Sequence, residues 1–230
     1  MKTVDLRKQH RALYQASSKT AGLIEVQDLA FLTVDGRIEP GAAPGNSPAF
    51  AAAVQALYAS AYTLKFSFKK RRTGAVDWPV MPLEAIWWVE RGEFDISRPD
   101  DWSWRAMILQ PDQVTAEALD EAVAQLRKKK PSPALEQLRL LRFEEGLCVQ
   151  MLHLGPYATE PATVERMRAF ATEQGLAERH DRVKRRGVLE VHDHHEIYLS
   201  DPRRTAPAKL KTLIRHPVKR AAAARTRSRT

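Results

Sequence analysis

Apolar and polar residues alternate along several stretches of the chain with the two-residue period of a β-strand. In residues 194–199, the side chains of Ile197 and Leu199 point to one face of the predicted strand. Glu196 and Tyr198 point to the other face. One face of this strand is therefore expected to pack in the apolar core, and the other is expected to carry the functional side chains. The other predicted strands cover residues 30–36, 80–90, 104–109, 146–154 and 188–191.

Apolar residues with three-to-four spacing predict helices between these strands. One helix begins after Ser47, which fits an N-cap followed by a proline, and runs to about Lys65 with tyrosines beside its apolar stripe. A second helix follows Thr115, and a third spans residues 160–173. Each half of the chain thus runs strand, helix, strand, strand. This order predicts an α+β fold of two similar units that form one sheet system with a groove between them.

Glu196 is the first candidate for chemistry. A carboxylate on a strand that is otherwise suited to burial is costly to desolvate unless it is paired or used. The two histidines before it and the two arginines after Pro202 leave a second interpretation open, in which Glu196 belongs to a surface ion network.

The net charge of +9 comes from one end of the chain. Ten of the 37 basic residues lie in residues 202–230, which contain no Asp or Glu, so the remainder, with 28 acidic residues, is close to neutral. We expect a basic disordered tail at 218–230 that makes at most weak contact with nucleic acid or acidic partners, and no specific nucleic-acid binding. Residues 1–22 read as a polar, loosely packed lead-in that is too short for a DNA-binding domain. The chain has no apolar run long enough to span a membrane and no secretory signal, so a cytoplasmic protein is expected.

A metal site is not expected from the histidines at 192, 194 and 195. Adjacent histidines on a strand point in opposite directions, and the i, i+4 pair of common helical zinc sites is absent from the sequence. The single cysteine, Cys148, lies in an apolar run and fits a small core residue. The sequence also lacks a phosphate-binding glycine pattern, so no cofactor is expected.

Four segments together resemble the GyrI-like small-molecule-binding domain proteins. They are residues 62–66 (YTLKF), 81–88 (MPLEAIWW), 154–157 (LGPY) and 195–204 (HEIYLSDPRR). The resemblance extends from about residue 25 to about residue 217. It defines a domain at 23–217, with halves at about 23–130 and 131–217.

The resemblance implies two units related by a pseudo-twofold axis, with an aromatic ligand groove between them. Stand-alone members of this family include cyclopropanoid cyclopropyl hydrolases, which add water to the strained ring of DNA-alkylating compounds and so protect the cell. By motif match, Glu196 is the expected catalytic residue and Tyr157 its polar assistant, without any cofactor. The alternative is a multidrug-binding or scavenging protein for hydrophobic or cationic compounds that has no catalytic activity. Either way, we expect a hydrophobic aromatic small molecule as partner and a monomer or homodimer. The expected substrate-binding residues are Tyr62, Phe66, Met81, Trp87, Trp88, His153 and Tyr198.

Overall fold

The computed structural model describes residues 2–90, 101–185 and 188–221. The helices are α1 (Leu6–Gln9), α2 (Pro48–Lys69), α3 (Ala116–Lys129), α4 (Pro133–Glu136) and α5 (Glu160–Glu173). The strands are β1 (Lys2–Thr3), β2 (Gly22–Val26), β3 (Leu29–Arg37), β4 (Val76–Asp77), β5 (Glu84–Val89), β6 (Trp102–Gln110), β7 (Arg139–Phe143), β8 (Gly146–Leu154), β9 (Leu176–Glu178), β10 (Asp181–Arg185), β11 (Val188–His192), β12 (His194–Tyr198) and β13 (Lys211–Arg220).

Helix α2 begins where the sequence predicts it. The Ser47 hydroxyl accepts a hydrogen bond from the backbone N–H of Phe50 at 3.1 Å, and Pro48 occupies the first helical position. The same hydroxyl donates to the Glu39 carboxylate at 2.6 Å, which ties the helix start to the preceding loop.

The main sheet is symmetric about its central pair of strands. Its order is β2-β8-β13-β12-β5-β6-β3-β7, and β9 pairs with β13 at one end. The unit in the first half of the chain consists of β3, α2, β5 and β6, in that order along the sequence. In the sheet, its strands lie in the order β5, β6, β3 from the centre to the edge. In the second half, β8, α5, β12 and β13 run outward in the matching order β12, β13, β8. The predicted α+β fold of two strand-helix-strand-strand units is therefore confirmed, and its symmetry axis passes between β12 and β5.

The two long helices cover different parts of one face of the sheet. Helix α2 packs on β3 and β6, and α5 packs on β8 and β9. Helix α2 contributes Leu57 and Leu64 to the larger apolar core, and α5 contributes Met167 to a smaller one. Strands β12 and β5 lie between the two helices, and Phe50 of α2 packs on Trp87 of β5 with ring centroids 5.0 Å apart.

The sequence analysis assigned two strands of the second unit incorrectly. Strand β11 lies outside the main sheet and pairs with β10 as a separate hairpin. The last strand of the unit is β13, which continues past the predicted domain end at 217 and pairs with both β12 and β8. Residues 91–100, and residues 222–230 of the predicted tail, lie outside the described residues.

The N-terminal segment packs more closely than the sequence suggests. Leu13 is buried, and its carbonyl accepts a hydrogen bond from the Arg215 guanidinium at 2.6 Å. The Tyr14 hydroxyl donates to the Glu84 carboxylate at 2.6 Å. Residues 10–17 thus cover the face of the sheet opposite to α2 and α5. In the described ranges, no helix combines the length and apolar character needed to cross a bilayer.

Candidate functional site

Strand β12 places Glu196 at the centre of the sheet, on the face between α2 and α5. Glu196 pairs with Ala85 on β5 and with Ile214 on β13. Residues paired across antiparallel strands share a face, so Glu196 lies on the side where Ile214 joins the core under α5. Only 7% of Glu196 is exposed. The interpretation of Glu196 as part of a surface ion network is therefore wrong, and the nearby Arg203 pairs with Asp201 instead.

A second carboxylate, that of Glu160, lies close to Glu196. Glu160 is the first residue of α5 and is 1% exposed. Neither carboxylate oxygen makes a hydrogen bond of good geometry to the described part of the chain. Burial, and then the charge of Glu196, raise the pKa of Glu160 to about 10, and the Thr212 hydroxyl offsets this only in part. Glu160 is therefore a protonated carboxylic acid at neutral pH.

His194 lies beside both carboxylates. Its Nε2 atom is 3.0 Å from Oε1 of Glu196 and 4.0 Å from Oε2 of Glu160. One donor atom from each of the three residues lies within 4.8 Å of the others, a spacing that would also admit a metal ion. Such an ion would need the Nε2 lone pair of His194, whereas this nitrogen is already hydrogen-bonded to Glu196. In this structure His194 and Glu196 form the hydrogen-bonded pair, and Glu160 lies beside it.

Aromatic side chains with polar ends flank the glutamates. Trp87 pairs with His194 and so shares the face of Glu196, and its indole N–H donates to the Tyr198 hydroxyl at 3.1 Å. The ring of Tyr157, in the 3₁₀ turn before α5, meets the Tyr198 ring edge to face at 6.0 Å. Burial and the charges of Glu196 and Glu160 raise the pKa of Tyr157 to about 12. Tyr157 therefore keeps its proton at neutral pH and remains a hydrogen-bond donor.

Three further residues that the sequence analysis assigned to substrate binding, Met81, Trp88 and His153, are buried. Trp88 is on the opposite face of β5, because the side chains of neighbouring strand residues alternate. Met81 is 1% exposed and belongs to the main apolar core. His153 is buried, with Nδ1 at 2.8 Å from the Thr163 hydroxyl and Nε2 at 3.2 Å from the Pro156 carbonyl. Its ring nitrogens thus stabilise the corner that precedes α5.

Tyr62 and Phe66 lie at the surface of α2. They are 48% and 47% exposed, and their rings stack with centroids 6.4 Å apart. Among the predicted substrate-binding residues, Trp87 and Tyr198 therefore lie on the sheet face beside Glu196, whereas Tyr62 and Phe66 form an exposed pair on a neighbouring helix.

The adjacent histidines point in opposite directions, as the strand period predicts. His194 faces Glu196, whereas His195 lies on the other face between Glu84 at 3.1 Å and Glu145 at 3.0 Å. Although burial opposes protonation of His195, the charge of Glu145 raises its pKa. Glu145 also pairs with Arg215 at 3.3 Å, so this second cluster balances its own charges.

A recess of about 260 Å³ lies far from these groups, at the outer strands β3 and β7. It is lined by Thr33, Asp35, Gln137, Arg139 and Leu141. These side chains contain neither an aromatic surface nor a buried carboxylate. The glutamate pair on the central strand is therefore the better candidate for chemistry.

Comparison with known proteins agrees with this organisation. Residues 46–219 match the family model of the GyrI-like small-molecule-binding domain. An uncharacterised conserved protein from Listeria innocua is 40% identical, with a TM-score of 0.80, over 94% of this chain and 100% of that protein. A hydrolase from the same organism is 38% identical, with a TM-score of 0.76 and the same coverage. A further Listeria innocua structure described as a hydrolase is 40% identical, with a TM-score of 0.77, over 95% of this chain and 100% of that protein. No curated protein matches the chain. The chain therefore belongs to the family of GyrI-like small-molecule-binding domain proteins.

Proposed function

We propose that this protein binds a flat, largely apolar small molecule on the central face of the sheet and hydrolyses the strained ring of cyclopropanoid DNA-alkylating compounds. The observation that carries the proposal is the Glu196 carboxylate, which is buried among aromatic side chains and paired with a protonated Glu160. Similarity over the full length of two Listeria innocua proteins described as hydrolases supports catalysis rather than binding alone. Such a reaction would protect the cell by destroying the alkylating group.

The reaction needs a base and a group that stabilises a developing negative charge. In the substrate class proposed here, the cyclopropane ring is conjugated to a carbonyl group. Water attacks the CH₂ carbon of the ring and forms a C–O bond. The ring C–C bond breaks, and its electron pair moves to the carbonyl oxygen, which becomes a phenolate. One proton leaves the water molecule and one proton reaches the phenolate, so the overall reaction adds a single water.

The two glutamates take different parts in this scheme. Glu196, whose carboxylate accepts the hydrogen bond from His194, removes the proton from water. Glu160 retains its own proton because burial and the charge of its neighbour make ionisation costly. A protonated Glu160 leaves Glu196 without a second negative charge beside it, which keeps Glu196 available as the base.

The tyrosines and Trp87 bind and orient the substrate. Flat rings stack favourably on aromatic faces, and the partly exposed Tyr198 supplies such a face next to Glu196. The buried Trp87 orients Tyr198 through the hydrogen bond from its indole N–H to the Tyr198 hydroxyl. The phenol of Tyr157 donates a hydrogen bond to the carbonyl oxygen as that oxygen becomes negative. Tyr62 and Phe66, half exposed on α2, contact the outer end of a long substrate in this proposal.

The substitution Glu196→Gln tests this assignment. Glutamine keeps the shape of the side chain but cannot accept a proton from water, so hydrolysis should fall by at least about 100-fold while binding is retained. Hydrolysis is followed by chromatography of a spirocyclopropyl cyclohexadienone and its ring-opened phenol, and binding by quenching of tryptophan fluorescence.

The matched control is Glu165→Gln, which removes an exposed charge from α5 and should leave both hydrolysis and binding unchanged. A fully active Glu196→Gln variant would refute the role of Glu196 as base. Tight binding by the wild-type protein, with the compound recovered unchanged, would establish the alternative of a binding protein without catalytic activity.

A further inference from the structure

A buried chain of hydrogen bonds leads from Glu196 away from the proposed substrate. Nδ1 of His194 lies 2.8 Å from Nε2 of His216 on β13. Nδ1 of His216 lies 2.5 Å from Oε1 of Glu178 on β9. Both histidines are 3% exposed, and the Glu178 side chain is 14% exposed. Two imidazoles in series therefore connect the carboxylates of Glu196 and Glu178.

The number of protons in this chain follows from its geometry. Three contacts join the four groups, at 3.0, 2.8 and 2.5 Å, and each contact needs one proton to be a hydrogen bond. Two neutral imidazoles supply only two protons. If both carboxylates are ionised and both imidazoles are neutral, one of the three contacts has no proton. In that contact, a ring nitrogen and its neighbour would face each other with lone pairs only. The series of hydrogen bonds from Glu196 to Glu178 therefore holds three protons.

The third proton belongs to the imidazoles. In water, an imidazole is more basic than a carboxylate by about two pKa units, and here the proton on the imidazole pair also lies between two carboxylates. Burial lowers the pKa of His216 and a charge on His194 lowers it further, so the pair holds one additional proton rather than two. Although burial opposes ionisation of Glu178, hydrogen bonds from His180 and His216 hold its pKa well below the usual value. Arg168 of α5 also pairs with Glu178 at 2.9 Å.

We infer that His194 and His216 together carry one positive charge, held between Glu196 and Glu178, and that Glu178 is a positioning residue for Glu196. The negative charge of Glu178 stabilises the shared proton, and the N–H of His194 is thereby always directed at Glu196. This fixed charge lies 3.0 Å from Glu196 and 4.0 Å from Glu160, so it is nearer to the carboxylate that acts as the base in the proposed function. The charge state is a property of the free protein, and its catalytic consequence rests on the proposed function.

The charge state can be measured without any substrate by nitrogen NMR of the full chain labelled with ¹⁵N-histidine. The two outer nitrogens, Nε2 of His194 and Nδ1 of His216, should both carry protons at pH 7. The substitution Glu178→Gln removes the charge and offers an amide N–H₂ that can donate to His216, so Nδ1 of His216 should lose its proton at the same pH. Ring signals are assigned by single histidine substitutions.

An outer nitrogen without a proton in the wild-type protein at pH 7 would overturn the inference, and this spectrum decides the question even if the Glu178→Gln variant does not fold. Retention of both protons in a folded Glu178→Gln variant would also contradict it, because the charge of Glu178 would then be unnecessary.

The kinetic consequence has a defined sign. Loss of the shared charge raises the proton affinity of Glu196, so the acid limb of the kcat/KM profile should move to higher pH by about one unit in Glu178→Gln. The exposed control Glu165→Gln should leave the profile unchanged. If the wild-type protein does not hydrolyse the probe, the proposed function fails, whereas the NMR result still decides the charge state.

Discussion

Replacing Glu160 with glutamine changes how the stability of the protein depends on pH. The pKa of Glu160 is raised from 4.5 to about 10, mainly by burial. Between these two values the folded protein binds one proton more than the unfolded chain does, so the free energy of unfolding falls as the pH rises. The stabilising contribution of this proton is complete below pH 4.5 and is lost progressively up to about pH 10.

The magnitude follows from the size of the shift. Each pH unit within this window costs about 1.4 kcal/mol, so ionisation of Glu160 in the unfolded chain lowers the free energy of unfolding by about 3 kcal/mol between pH 5.5 and 7.5. Glutamine does not titrate and has nearly the same shape. Glu160→Gln should therefore gain about 3 kcal/mol relative to the wild-type protein over that interval.

Urea denaturation at pH 5.5, 6.5 and 7.5, followed by tryptophan fluorescence, measures this difference directly. The comparison is valid when the free energy of unfolding falls with urea concentration at the same slope in both proteins. Glu165→Gln, on the exposed side of the same helix, should follow the wild-type protein at every pH. If Glu160→Gln also runs parallel to the wild-type curve, Glu160 is ionised in the folded protein and the proposed division of roles between the two glutamates is wrong.

Two further predictions concern the scaffold. Gly36→Ala should destabilise the protein by about 1–3 kcal/mol or more, because the new Cβ would lie 2.2 Å from the ring of the buried Trp104. Gly45→Ala, which meets no atom within 4 Å, is its control, and thermal unfolding should separate the two variants clearly. Met167→Ala should cost about 2–5 kcal/mol, because Met167 is 1% exposed in the core under α5. If the Met167→Ala variant unfolds at the same urea concentration as the wild-type protein, the neighbouring side chains have filled the cavity left by the methionine.

Periodicity predicted most of the long elements, but it could not predict β13. Residues 211–220 contain four Lys and Arg residues and a histidine, and they read as a polar end of the chain. Arg215 and His216 are nevertheless buried within this strand. Their burial is compensated by Glu145 and Glu178, which are distant in sequence and come close only in the folded sheet.

The catalytic candidate Glu196 was found from its strand pattern, whereas Glu160 was not. A glutamate at the start of a helix is usually explained by the helix dipole, so its sequence position carried no signal of burial. Its contact with Glu196 depends on how α5 lies across the sheet. Alternation likewise predicted that Trp87 and Trp88 face opposite ways, but only the register of β5 against β12 shows that Trp87 is the one beside Glu196.

The most direct test of hydrolysis uses water enriched in ¹⁸O. The wild-type protein is incubated with a spirocyclopropyl cyclohexadienone, and the product is analysed by mass spectrometry and fragmentation. Enzymatic ring opening should yield one labelled hydroxyl, located on the former ring CH₂ carbon, at a rate that collapses in Glu196→Gln. Recovery of the intact compound, or equal labelling with and without the protein, would contradict the proposal that this buried carboxylate catalyses the addition of water.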